Sequence, residues 1–123
     1  MNKSIKTIFI LEDNEDLRDL YAFIFDPNKY QLETFPTVAT FMAATNRTPD
    51  LYLLDIMLPD GDGISVCKHL HTNNLTHNIP VILISAHQQA SIVVDKCPWA
   101  SFIEKPFDID SLELMVESRL AQV

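Results

Sequence analysis

Leu51-Tyr52-Leu53-Leu54-Asp55 is an unbroken apolar run that ends on a carboxylate. Four consecutive apolar residues leave no polar face for water, so the run reads as a strand buried on both sides. That is the pattern of a parallel sheet covered by helices. Two runs of the same kind flank it, Ile8-Phe9-Ile10-Leu11 before and Val81-Ile82-Leu83-Ile84 after. Each again gives way to polar residues, Glu12 and Asp13 in the first case and Ser85 in the second. A weaker strand is expected from Tyr30 to Phe35, closed by Pro36. A short last one, Ser101-Phe102-Ile103, stops at Lys105-Pro106.

Helical spacing fills the intervals. Leu17, Leu20, Tyr21 and Ile24 fall on one helical face, with Asp26-Pro27-Asn28 as the stop signal. Val38, Phe41 and Met42 suggest a short second helix, and Ile64, Cys67 and Leu70 mark the apolar side of a third. A poorer helical stretch runs from Gln88 to Asp95, weakened by the β-branched Ile92-Val93-Val94 and limited by Pro98. Ile109, Leu112, Met115, Val116 and Leu120 give a terminal helix. Strand and helix alternate five times, which predicts an α/β fold with a parallel sheet and helices on both faces.

The chain has 123 residues, 47% of them hydrophobic and 21% charged, which suits one domain over 1–123 with one ordinary core. Its net charge of −8 disfavours general binding to nucleic acid or to an anionic membrane surface. Cys67 and Cys97 form no CxxC pair and read as reduced thiols. No signal peptide is visible, and no apolar run approaches the roughly 20 residues that span a bilayer. A cytoplasmic location is expected. The chain ends at Val123 directly after the last helix, so it is expected to act either by contact with a downstream protein or as a receiver whose output domain lies outside this sequence.

In open parallel sheets, ligands bind beyond the carboxyl ends of the strands. Glu12, Asp13, Asp55, Ser85 and Lys105 are all predicted to lie at such ends. Each alone has an ordinary reading, as a helix cap, a turn former or a solvated charge. Together they form a set with its own chemistry. Three carboxylates at one rim repel one another and call for a counter-ion. Oxygen-only donors suit a hard cation such as Mg²⁺, and the absence of Cys and His from the set argues against zinc. An ionised Asp is already a nucleophile, and phosphoryl transfer depends mainly on positioning and on neutralising the equatorial oxygens. A divalent cation, the Lys105 ammonium and the Ser85 hydroxyl can share that task.

Four stretches carry a resemblance that extends over essentially the whole chain. They are Phe9-Ile10-Leu11-Glu12-Asp13, the segment from Leu53 to Gly63, Val81-Ile82-Leu83-Ile84-Ser85-Ala86, and Phe102-Ile103-Glu104-Lys105-Pro106-Phe107. In this order and spacing the chain resembles the receiver domain of bacterial two-component response regulators. The resemblance implies a flavodoxin-like (βα)₅ fold with strand order 2-1-3-4-5. It also implies that Asp55 accepts a phosphoryl group from a phosphohistidine on a sensor kinase or phosphotransfer protein. Asp13 and Asp55 would ligate Mg²⁺ through their side chains, Met57 through its backbone carbonyl, and Glu12 through water. Lys105 would contact the phosphoryl group, with a cis bond to Pro106. Ser85 and Phe102 resemble the family's paired switch residues, which pass the change to a protein-interaction surface. Pro98-Trp99 replaces the family's usual Gly-Ala, and the stretch from Ser85 to Lys105 is about two residues short of the family's usual length. A short, shifted or irregular fourth helix is expected there, with Trp99 as a cover over it rather than an exposed partner anchor.

Two other functions compete. An aspartyl phosphatase turning over the same nucleophile commonly needs a second Asp two positions later, where this chain has Met57. A receiver-like interaction module that is never phosphorylated would have no use for all five polar residues. His69, His71 and His77 read as surface histidines, while His87 and Met57 border the predicted site and are placed to affect water access. The loop Asp60-Gly61-Asp62-Gly63 lacks the spacing and final Glu of a calcium loop and reads as solvated carboxylates. No GxxxxGK[ST] or GxGxxG motif is present.

Overall fold

The three unbroken apolar runs lie side by side at the centre of a five-stranded parallel sheet in the computed structural model. The structure describes residues 4–86 and 90–121, apart from the side chains at positions 90 and 94. In chain order the elements are β1 (Lys6–Leu11), α1 (Glu15–Ile24), β2 (Tyr30–Phe35), α2 (Val38–Met42), β3 (Leu51–Asp55), β4 (Met57–Leu58), β5 (Gly61–Asp62), α3 (Gly63–Thr72), β6 (Val81–Ser85), α4 (Ala90–Lys96), β7 (Ser101–Glu104) and α5 (Ile109–Ala121). The large sheet runs β2-β1-β3-β6-β7. Counting only its own members, that is the flavodoxin-like order 2-1-3-4-5.

Alternation along the buried strands builds two separate core layers. Phe9, Leu11, Tyr52, Leu54 and Leu83 point to one face, where Phe41 of α2, Cys67 and Leu70 of α3 and Val93 of α4 cover them. Ile8, Ile10, Leu51, Leu53, Ile82 and Ile84 point to the other, beneath Tyr21 of α1 and Leu112 and Val116 of α5. Every residue of β3 and β6 is buried, whereas the edge strand β2 is buried only at Phe35. This difference explains why the central strands are unbroken apolar runs and β2 is not.

Two features depart from the expected pattern. Met57–Leu58 and Gly61–Asp62 pair antiparallel as a small ribbon, within what reads in sequence as plain loop. The carboxylates of that loop are also not merely solvated. Asp60 accepts the backbone N–H groups of Val38 and Ala39 at 2.8 and 3.0 Å, so it satisfies the first turn of α2 from 21 and 22 positions away. Asp62 caps α3 by accepting the Ser65 N–H at 2.8 Å. α4 covers Ala90–Lys96 among the described residues, and Gln88, where the expected helical stretch begins, lies outside them.

Candidate functional site

The parallel register brings the strand ends to one level. Leu11 pairs with Leu54, Asp55 with Ile84, and Ser85 with Glu104, so the residues following β1, β3, β6 and β7 share a single rim. Backbone hydrogen bonds continue past the strands and fix the residues there. The Glu12 N–H donates to the Phe35 carbonyl at 3.0 Å, and the Lys105 N–H to the Ser85 carbonyl at 2.8 Å. The Ile56 N–H donates to the Ile84 carbonyl at 3.0 Å. The Lys105–Pro106 peptide bond is cis.

On this rim the Lys105 ammonium lies 2.9 Å from Asp55 Oδ2 and 3.6 Å from Glu12 Oε1. The other oxygen of Asp55 accepts the Met57 N–H at 3.3 Å. One carboxylate oxygen from each of Glu12, Asp13 and Asp55 falls within 4.8 Å of the others. Glu12, Asp55 and Ser85 are buried, whereas Asp13 is exposed. All five polar residues singled out at strand ends therefore belong to one rim. Arg18 braces its entrance, donating to the carbonyls of Glu12 and Asp13 at 3.1 and 2.9 Å.

Phe102 is half-buried on β7, opposite Leu83, and packs with Trp99 and Ala100 against the first core layer. Trp99 is likewise half-buried, its ring stacked on the exposed His71 with centroids 3.8 Å apart. It packs against the first core layer, and its outer contact is with α3. The Met57 side chain is 65% exposed beside Asp55. His87 lies outside the described residues.

Crowding of negative charge has an electrostatic signature. Burial, and next the facing Asp55 carboxylate, push the Glu12 carboxyl up to about 7, against the lowering pull of Lys105 and the Asn14 N–H. One ammonium thus leaves the acidic group short of positive charge. Three oxygen donors from carboxylates, open to solvent on the Asp13 side, suit a hard divalent cation and offer nothing to a soft one.

Sequence reasoning passes over two residues that shape the site. Gly63 is buried under Asp55, and a Cβ there would stand 2.2 Å from the Asp55 carbonyl oxygen. Its N–H donates to the Ile56 carbonyl at 2.8 Å. A glycine in the first turn of a helix, where most residues are better helix formers, is the available signal of such close approach. Tyr21 reads in sequence as part of an apolar face, but its hydroxyl donates to Glu12 Oε1 at 3.3 Å. Burial raises the pKa of that hydroxyl, and it remains a donor.

Fold and site together define a doubly wound α/β protein with an acidic pocket, closed by a lysine, at the carboxyl ends of its strands. The family model described as response regulator receiver domain matches residues 8–117. The chain belongs to this family of two-component receiver domains. The phosphate regulon transcriptional regulatory protein PhoB of Escherichia coli (strain K12) is 30% identical over 125 residues, covering 96% of this chain and 53% of PhoB. This chain thus spans about half the length of that relative. The crystal structure of NtrX from Brucella abortus matches with a TM-score of 0.84 at 31% identity, over 97% of this chain and 27% of NtrX. A CheY-like response regulator receiver domain protein from Methanospirillum hungatei JF-1 matches with a TM-score of 0.86, covering 97% of this chain and 96% of that one. At 24% identity, the second likeness bears on the fold alone.

Proposed function

We propose that the chain, as a single receiver domain over 1–123, takes up a phosphoryl group on Asp55 and signals through the surface that responds. The observation that carries this reading is the placement of Asp55: a buried carboxylate at a strand end, 2.9 Å from an ammonium and grouped with two more carboxylates. An oxygen of Asp55 attacks the phosphorus of a phosphohistidine. The new O–P bond forms as the N–P bond breaks, and the imidazole leaves with the electron pair of that bond. Lys105 balances charge on the transferred oxygens, and Ser85 and the Met57 N–H offer donors to them. Asp13, Asp55 and the Met57 carbonyl, with Glu12 through water, would hold a Mg²⁺ ion, which would further neutralise those oxygens.

Ser85 and Phe102 are proposed as the switch. Drawing the Ser85 hydroxyl toward the phosphoryl group favours a different packing of Phe102, two positions back along the neighbouring strand's register, and so a different surface at α4 and β7. The donor is proposed to be a sensor histidine kinase or phosphotransfer protein. An apolar groove of about 380 Å³, lined by Leu17, Leu20, Lys105, Pro106 and Phe107, lies beside the site and suits docking of such a partner. A turnover phosphatase fits less well, because the exposed thioether of Met57 can neither give nor take a proton.

Incubating the chain with Mg²⁺ and acetyl phosphate tests the reading by intact mass. One phosphate is expected on the wild type and none on Asp55→Asn. Equal uptake by Asp55→Asn overturns the assignment.

A further inference from the structure

Tyr21 has no part in the chemistry just described, and an aliphatic side chain would fill its place on α1 without a polar atom to satisfy. It is 1% exposed, yet it presents a hydroxyl to the interior. That hydroxyl donates to Glu12 Oε1 at 3.3 Å, the same oxygen that lies 3.6 Å from Lys105 Nζ. Glu12 Oε2 accepts the Asn14 N–H, also at 3.3 Å. The carboxylate is therefore held from three sides, by a helix, a turn and the lysine after β7. The Tyr21 ring is itself fixed, stacked on Phe107 with centroids 6.0 Å apart and planes 10° from parallel.

We propose that Tyr21 is a positioning residue for the cation site, its hydroxyl holding the Glu12 carboxylate toward Asp13 and Asp55 and so setting the affinity for Mg²⁺. The inference rests on the phosphoacceptor reading above, specifically on its cation. Without the hydroxyl, Glu12 Oε1 loses a donor, and the ammonium, the Asn14 N–H and the neighbouring Asp55 alone set the orientation of the carboxylate. Recovering the ligating orientation then draws on the binding free energy of the cation. Removing groups that orient metal ligands typically weakens binding by about 10–100-fold. Here the contact is long and Glu12 keeps its partners Lys105, Asn14 and Asp55, so the effect falls at the lower end, at about tenfold.

Tyr21→Phe deletes the hydroxyl and preserves the ring and its stack. Calorimetric titration of the full chain with Mg²⁺ should give a Kd raised about tenfold, with the far-ultraviolet dichroism of the metal-free protein unchanged. Acetyl phosphate labelling should slow at low Mg²⁺ and return to the wild-type rate at saturation. In a Glu12→Gln background the same substitution should no longer alter the Kd, because the residue acts through Glu12. An unchanged Kd in Tyr21→Phe overturns the inference, as does an undiminished effect in the Glu12→Gln background. A wild-type chain that binds no Mg²⁺ overturns the cation reading, and the inference with it.

Discussion

Gly63 occupies a position where a single methyl group would reach the backbone of Asp55 directly. Its missing side chain lets the start of α3 rest against the Asp55 carbonyl, where a Cβ would intrude to 2.2 Å. The neighbour is backbone, which cannot turn aside as a flexible side chain can. Gly63→Ala is expected to lower stability by about 3 kcal/mol in urea unfolding, at the upper end of overpacking effects. Displacing Asp55 by even a fraction of an ångström should also slow acetyl phosphate labelling, by about a hundredfold at a shift near 1 Å. A Gly63→Ala protein with wild-type stability and labelling would contradict so close an approach of helix to strand. The residues at this scale differ in how plainly the sequence displays them. Glu12, Asp13, Asp55, Ser85 and Lys105 stand out because each follows an apolar run. Tyr21 does not, since a tyrosine on an apolar helical face looks the same whether its hydroxyl meets water or a buried carboxylate.

At the scale of elements, α3 and the end of α4 meet through their cysteines. Cys67 and Cys97 are both fully buried, and the Cys67 thiol is within hydrogen-bonding reach of Cys97. Cys97 in turn donates to the Ile64 carbonyl at 3.6 Å. Burial, followed by the neighbouring Cys97, pushes the Cys67 thiol up to about 12 from an ordinary 9.0. The folded chain therefore keeps a proton that the unfolded chain releases above about pH 9. Stability from this group is complete below pH 9 and is lost as pH rises through about 12. Between these limits the urea midpoint should fall more steeply with pH in the wild type than in Cys67→Ala, and equal slopes would contradict the burial of this thiol. The comparison with Cys67→Ala is needed because burial also raises the hydroxyl of Tyr52 to about 12. Elements are legible in the sequence wherever period and burial agree, as in β1, β3 and β6. The β4–β5 ribbon and the cap that Asp60 places on α2 are not, because both depend on partners brought together only by the fold.

Across the whole molecule, one sheet separates two cores that share strands but belong to different faces. Ile10 lies in the layer under α1 and α5, and Ile56 in the layer under α2, α3 and α4. Ile10→Val and Ile56→Val should each cost about 1 kcal/mol. Their effects should add to within about 0.5 kcal/mol in the double variant, as for residues without shared partners. A larger departure in urea unfolding would mean that strain passes through the sheet from one layer to the other. The chain also carries a single tryptophan, Trp99, laid flat against the exposed imidazole of His71 where the approach to β7 meets α3. Indole emission from this protein consequently has one address. Fluorescence reports on the α3–β7 corner alone, while far-ultraviolet dichroism averages over every helix and strand. Coincidence of the two signals during unfolding would mean that this corner melts with the rest, and an earlier optical change would mark it as the first part to come loose.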